Sequence, residues 1–435
     1  MRYRKYLNAG LLIFVFLLIA SVSLAGASTP KPFVPDLPSG WSQVTPDSNF
    51  SYLGLKPACS NCPGTDPTYK FFVRKGTVNK VVIFFNGGGA CWDSMNCLYA
   101  LTYNPMVFEY VSSGKLYVSG QPDPTSPGTV NQGIFEFTNA NNPFKDWYVV
   151  YLPYCTGDLF WGAADTSYDG VTIQHHGFVN FMAVLEWVQK NFRLPQEVFV
   201  AGSSAGGYGA ILDYPYIRDA FPLTRVYVLG DAANGVIGDD FIIKAKDKWN
   251  IQYPAWILPG DITDYNIQDI YTNIAAEYPL MKLAQYTTAF DQTQFSFYYL
   301  QLHEPPFDYP TGTLHPFTPG STPIVEEPSQ YPSSPPLPSM DNLHLWYLGV
   351  AAPPIWHSKM ITYTLETAAT APNYRYYIGA GYDHTILTSP KFYTETSAGV
   401  SFAQWVKSMV DNPFGVFGGP LQGIWKNVEA PAPVQ

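Results

Sequence analysis

The chain has 435 residues, enough for one large or two ordinary domains, with 13% charged and 16% aromatic side chains and a formal net charge of −10. That acidity argues against nucleic acid as a partner, and it gives no long-range attraction for a polyanionic substrate. The aromatic, weakly charged composition suits an extracellular protein with an aromatic-lined cleft.

Residues 1–27 carry Arg2, Arg4 and Lys5, then an apolar run over 11–20, then Ala25-Gly26-Ala27. This is the pattern of a secretory signal with a small-residue cleavage site. The run is short for a membrane span, an uncleaved anchor being the alternative. No cysteine follows the small-residue box, so a lipoprotein is not indicated, and no other segment is apolar and long enough to span a membrane. Removing the signal takes three cations and moves the net charge from −10 to −13. The expected location is secreted or extracellular, with retention at the cell surface as the variant. A Pro-rich lead over 28–58 follows, and a single domain is expected over 59–425.

Strands are predicted over 69–73 and 80–85. The second, Lys-Val-Val-Ile-Phe-Phe, reads as fully buried and runs directly into Asn86-Gly87-Gly88-Gly89-Ala90-Cys91-Trp92. Three glycines after a buried strand let bare backbone N–H groups turn toward a bound oxyanion without a Cβ in the way. A phosphate-binding loop would need G-x-G-x-x-G or a following Lys-Ser/Thr, and neither is present. A further strand over 147–152 precedes a helix whose face is formed by Phe178, Met182, Leu185 and Val188.

That helix leads to the strongest signal. The β-prone run from Glu197 ends in Gly202-Ser203-Ser204-Ala205-Gly206, a G-x-S-x-G turn. Glycine is needed on both sides because the nucleophile sits on a sharp, strained strand-to-helix turn. Ser204 is the candidate nucleophile, and Ser203 reads as a structural hydroxyl. The predicted oxyanion donors are the amides of Gly88, Gly89 and Ala205.

Further along, a strand over 225–229 ends near Asp231. A β-prone run over 285–290 leaves Asp291 at its C-terminal edge. Residues 304–339 form a Pro-, Ser- and Thr-rich stretch, read as an insertion or lid inside the domain. A strand over 375–378 and a Gly-containing loop then present His384, and a last helix is predicted near 401–410. The order Ser, acid, His with a late-loop histidine is that of an α/β-hydrolase. Asp291 is the preferred acid; Asp231 reads as a loop or helix-capping carboxylate near the site, and Asp341 is a third option. His303, His315, His344 and His357 lack a comparable loop, and His175 and His176 precede the serine. Alternating strands and helices imply a mostly parallel sheet flanked by helices, interrupted by the Pro-rich insertion before the histidine.

Five cysteines in an exported chain fit disulfides. Cys91 and Cys97 bracket the segment after the three glycines, and a bridge there would hold the loop. A zinc site would need a second C-x-x-C or a His pair at ligand spacing, which the sequence lacks, so no metal and no cofactor is expected.

Taken jointly, several pieces resemble the pectin acetylesterase family: Asn86 to Trp92 with Cys97, Tyr154-Cys155-Thr156-Gly157-Asp158, His176-Gly177, Gly202 to Gly207, and residues 286–294. The resemblance runs roughly from residue 59 to 405. It implies an α/β-hydrolase core, carboxylic ester hydrolysis, and a triad at Ser204, Asp291 and His384. It further implies a long-range bridge from Cys155 to Cys59 or Cys62, leaving one cysteine free. Gly89, the Gly381 to Thr385 context of the histidine and the Pro-rich insertion depart from the family's usual pattern. The expected activity is that of a serine esterase on an extracellular ester, with acetylated polysaccharide as the family default. The alternatives are a polyester or lipid-ester depolymerase and, in another class, a non-catalytic carbohydrate-binding protein on a hydrolase scaffold.

Overall fold

Six strands of this chain are buried along nearly their whole length, as expected where both faces of a parallel sheet are covered. They are β3 (Lys80–Phe85), β4 (Tyr148–Leu152), β7 (Glu197–Ser203), β8 (Arg225–Asp231), β9 (Leu283–Thr288) and β10 (Tyr374–Gly379). With β1 (Trp41–Val44) and β2 (Phe71–Arg74) they form one eight-stranded sheet in the order β1-β2-β4-β3-β7-β8-β9-β10. The pairs β1–β2 and β2–β4 are antiparallel; every other neighbouring pair is parallel. The computed structural model describes residues 33–60, 67–94, 97, 132–302, 352–411 and 424–430.

Alternation along the strands divides the core in two. Val81, Ile83, Val198, Val200, Val226 and Val228 face one layer. Against them pack α1 (Gly177–Asn191), α2 (Ala205–Ala220), α4 (Ile267–Glu277) and α6 (Ala352–Thr370), which follow in chain order with α3 (Phe241–Trp249) and α5 (Gln292–Leu302). Val82, Phe84, Phe199, Ala201, Tyr227 and Leu229 face the other, where α7 (Phe402–Asp411) contributes Phe402, Trp405, Val406 and Met409. Each such side chain contributes about 1.5–3 kcal/mol by leaving water, an upper figure given a compact unfolded chain.

Chain on both sides of residues 59–425 pairs with this sheet. β1 lies within the Pro-rich lead and pairs with β2, from Trp41↔Arg74 to Val44↔Phe71. At the far edge, Val428 exchanges backbone bonds with Tyr376 and Ile378 of β10 at 2.9 and 2.8 Å. An edge strand left bare is a template for unwanted pairing, and the β10 edge is met by chain beyond residue 425. The hairpin β5 (Ala164–Tyr168) and β6 (Val171–His175) was not among the expected elements, nor were α3 and α4. β6 includes His175, so His176 alone stands at the start of α1. The stretch 304–339, residues 1–27 and Cys62 fall outside the described residues.

The sheet order places the site. From β3 the chain moves outward to β4, then crosses back to β7 on the other side of β3. The C-terminal ends of β3 and β7 thus open on a topological switch point, where α/β sheets leave a crevice.

Candidate active site

At the end of β7 the backbone turns through Ser204 with φ 57° and ψ −126°, and α2 begins at Ala205. A non-glycine residue in this region costs on the order of 1–3 kcal/mol. The flanking glycines are sterically required. A Cβ on Gly202 would lie 2.0 Å from the Gly206 carbonyl oxygen, and one on Gly206 would lie 2.1 Å from that of Phe85. The Ser204 N–H donates to the Asp231 carbonyl at 2.7 Å, tying the turn to β8.

The glycine loop leaving β3 presses on this turn. A Cβ on Gly87 would fall 2.4 Å from the Ser203 carbonyl oxygen and 2.8 Å from the Ser204 Cβ. Gly88 backs onto the Tyr154 ring, and Gly89 takes φ 83°, a conformation that favours glycine. A disulfide joins Cys91 to Cys97, and the Trp249 indole N–H donates to the Cys91 carbonyl at 2.8 Å. A second disulfide joins Cys59 to Cys155.

The loop after β10 brings His384 back over the sheet to Asp291, at the end of β9. The His384 Nδ1–H donates to the carboxylate, with Nδ1 2.9 Å from each oxygen. Asp291 is fully buried and also accepts the Gln294 backbone N–H at 2.9 Å, in the manner of an N-cap for α5. The Gln294 side-chain amide donates to its other oxygen at 2.9 Å. Burial presses the His384 pKa down, but the charge and hydrogen bond of Asp291, with the charge of Asp231, outweigh it and leave the pKa above 6.5. With Nδ1 donating to Asp291, Nε2 carries the free lone pair. That Nε2 is buried without a hydrogen-bond partner.

Asp231 is wholly buried. It accepts the Ser203 hydroxyl at 2.7 Å, the Ile386 N–H at 3.1 Å and the Leu387 N–H at 2.9 Å. The sequence suggests a loop or helix-capping carboxylate near the site; Asp231 lies beside the serine turn, closing β8. Desolvation raises its pKa to about 6, the bonds from Leu387, Ser203 and Ile386 and the His384 charge acting in the opposite sense. The Ser203 hydroxyl is structural in this geometry. Gln294 and the double hold of Asp231 escaped the sequence reading. Only the i+3 spacing of Gln294 from Asp291, a helix-start pattern, hints at the former.

Ser204, Ala205, Gly89 and His384 share the wall of one pocket with about 50 Å³ of room for a water-sized guest. Its remaining walls are mainly apolar, with Trp161, Tyr208, Phe241 and Phe297 among them. Gly88 is not among the lining residues. Of the other described histidines, His175 and His357 bond away from this pocket. His175 bonds Tyr168 and the Thr156 carbonyl, and burial presses its pKa to about 3. His357 in α6 bonds the Ala289 carbonyl at 2.6 Å and stacks on Phe290. His303, His315, His344 and Asp341 lie outside the described residues. Cys91, Cys97 and His175 come close together, yet both sulfurs are spent in the disulfide and both ring nitrogens of His175 are engaged. That donor set does not fit a metal ion.

A family model described as pectinacetylesterase matches residues 57–253. Among curated relatives, palmitoleoyl-protein carboxylesterase NOTUM of Schmidtea mediterranea is 30% identical over 180 residues, 39% of this chain and 31% of the relative. Palmitoleoyl-protein carboxylesterase notum2 of Xenopus laevis is 29% identical over 153 residues, 34% of this chain and 28% of that one. The chain therefore spans about a third of the length of the curated relatives it matches. In fold it resembles the solved Wnt deacylase Notum from Drosophila, with a TM-score of 0.56 at 14% identity, covering 85% of this chain and 93% of that one. The matched segment holds the glycine loop, both cysteines of the Cys59–Cys155 pair and the serine turn; over that segment the chain is similar to the pectinacetylesterase family, and its fold is α/β-hydrolase-like.

Proposed function

We propose that this protein is a secreted serine carboxylic-ester hydrolase working through Ser204, His384 and Asp291. The observation that carries the reading is His384. Its Nδ1 is tied to a buried carboxylate, its Nε2 is unpaired, and it shares a pocket with a serine held at positive φ. In this reading Nε2 takes the proton of the Ser204 hydroxyl as Oγ attacks the ester carbonyl, then returns it to the departing alcohol. Asp291 holds the ring in the required tautomer and stabilises the imidazolium. The amides of Gly88, Gly89 and Ala205 receive the oxyanion, and losing one such donor typically costs about 3–4 kcal/mol. Water then releases the acyl group by the same proton route. None of these steps calls on a cofactor.

The mainly apolar pocket supports binding of an acyl group, and the matching family model supports a short one, such as acetyl on a polysaccharide. The leader over residues 1–27 and the two disulfides support action outside the cell. Among the described residues no helix is long and apolar enough to cross a membrane. Turnover of p-nitrophenyl acetate against longer-chain p-nitrophenyl esters is the test. Rates falling with chain length support an acetylesterase, and rates rising with it favour a lipid- or polyester-cleaving enzyme. No turnover of any ester, with a serine-directed phosphonate leaving Ser204 unlabelled, would leave a carbohydrate-binding protein.

A further inference from the structure

Two separate parts of this machinery meet at one buried carboxylate. Asp231, last residue of β8, takes the Ser203 hydroxyl with its side chain and the Ser204 N–H with its backbone carbonyl. Ile386 and Leu387, two and three residues past His384, also donate their backbone N–H groups to the same carboxylate. The serine turn and the histidine loop come from strands that are not neighbours, since β8 and β9 separate β7 from β10. Asp231 is therefore bonded at once to the segment carrying the nucleophile and to the segment carrying its base.

We infer that Asp231 is a positioning residue for the proposed reaction, fixing the serine turn against the histidine loop and favouring the imidazolium of His384 by its charge. The inference rests on the Ser204–His384 reading given above. A purely mechanical tie could be built from neutral groups, because two N–H donors and one hydroxyl are satisfied by any good acceptor. A carboxylate there carries a desolvation penalty that shows in its own pKa near 6. What the charge adds is its field at His384, one of the influences that raise the imidazole pKa.

The other ionisable groups around the pair are few. Asp291 faces His384 from the end of β9. Asp383, on the same loop, is engaged by Lys391 at the surface. Tyr286 of β9 feels Asp231, Asp291 and Glu395, with burial holding it neutral. Glu395 accepts from Ala380 N and Ser397 Oγ. Tyr208 of α2 likewise stays neutral through burial.

The test follows covalent labelling of Ser204 by a fluorophosphonate across pH, which needs no knowledge of the natural ester. Asp231→Asn keeps the shape and an acceptor but removes the charge; Ser203→Ala removes one bond and keeps the charge. Labelling of Asp231→Asn at its optimum should fall by about tenfold or more, since small misplacements of reacting groups can cost up to about a hundredfold. Its acid limb should also move to lower pH, while that of Ser203→Ala stays at the wild-type position. Wild-type rate and an unmoved acid limb in Asp231→Asn would overturn the inference. So would a loss that follows only the unfolded fraction, with the limb unmoved. Should Asp231→Asn not fold, Asp231→Glu makes the comparison: slower labelling with an unmoved limb supports the inference, and wild-type labelling overturns it. A wild-type protein that is not labelled at Ser204 would instead defeat the hydrolase reading itself.

Discussion

His384 donates its Nδ1–H to Asp291 across a sequence separation of 93 residues, with 2.9 Å to each carboxylate oxygen. The two residues leave neighbouring parallel strands whose last paired residues are Thr288 and Gly379. Removing a triad carboxylate typically lowers kcat by about 10⁴, because the histidine loses its tautomer and orientation. Asp291→Asn should therefore depress kcat far more than it changes KM, and Asp231→Asn should cost much less. Steady-state kinetics on p-nitrophenyl acetate would reveal the order, and the reverse order would move the acid to Asp231.

Ser204→Ala should abolish ester hydrolysis in a protein that still folds and binds substrate. Ser203→Ala should retain most activity, although its hydroxyl bonds a buried carboxylate. Hydrogen bonds to charged groups are worth about 1.5–3 kcal/mol, so the cost of Ser203→Ala should be a lower melting temperature. Phosphonate labelling followed by peptide mapping would identify the reactive serine; a label elsewhere defeats the assignment.

The raised pKa of His384 sets opposite pH trends for activity and for its share of stability. Catalysis needs the neutral imidazole, so kcat/KM should decline as pH falls through a midpoint above 6.5. The stability linked to this group runs the other way. It is fully present below pH 6.5, the unfolded value, and is lost as pH rises through the higher folded value. Asp291→Asn removes the principal cause of the shift and should move the kinetic midpoint down. A midpoint that stays put in a pH–rate profile would contradict this. Asp231, with its pKa near 6, titrates close to the same range, so the observed midpoint belongs to a coupled group of sites.

The Cys91–Cys97 bridge closes a loop of sequence separation 6 just past the glycines. Short loops give modest stabilisation in the chain-entropy model, so its main effect should be on placement of the loop amides. Cys97→Ser should thus lower kcat by a larger proportion than it lowers melting temperature. Peptide mapping of non-reduced active enzyme should recover the two cysteines joined; a free thiol at either would sink the idea.

The buried strands were legible because a sheet covered on both faces demands apolar, β-branched runs, and β3, β4, β7 and β8 have them. The serine turn was legible because steric demands at Gly202 and Gly206 leave almost no other residue possible. The hairpin β5–β6 was legible in principle. Asp169 and Gly170 supply the two positive φ values, 47° and 85°, that a tight hairpin requires. The Asn266–Asp269 capping box at the start of α4 was likewise present as spacing. By contrast, Trp41–Val44 has too few residues for alternation to speak, and only its pairing with β2 makes it a strand. The bonds from Ile386 and Leu387 to Asp231 span separations of 155 and 156 residues. No local pattern encodes such a meeting; it follows from strand order alone.

The parallel pairing of β9 with β10 has an evolutionary consequence. α5 departs from the site at Asp291 and α6 returns the chain to the start of β10, so chain added between these two helices lies outside the paired strands that carry the acid and the histidine. Doubling the length of such an excursion adds only about 0.6 kcal/mol of closure entropy. Selection can therefore exchange or lengthen that segment wholesale while the acid and the histidine keep their separation. Relatives with the same reactive centre could in this way diverge in what they admit to it, by cassette rather than by point substitution.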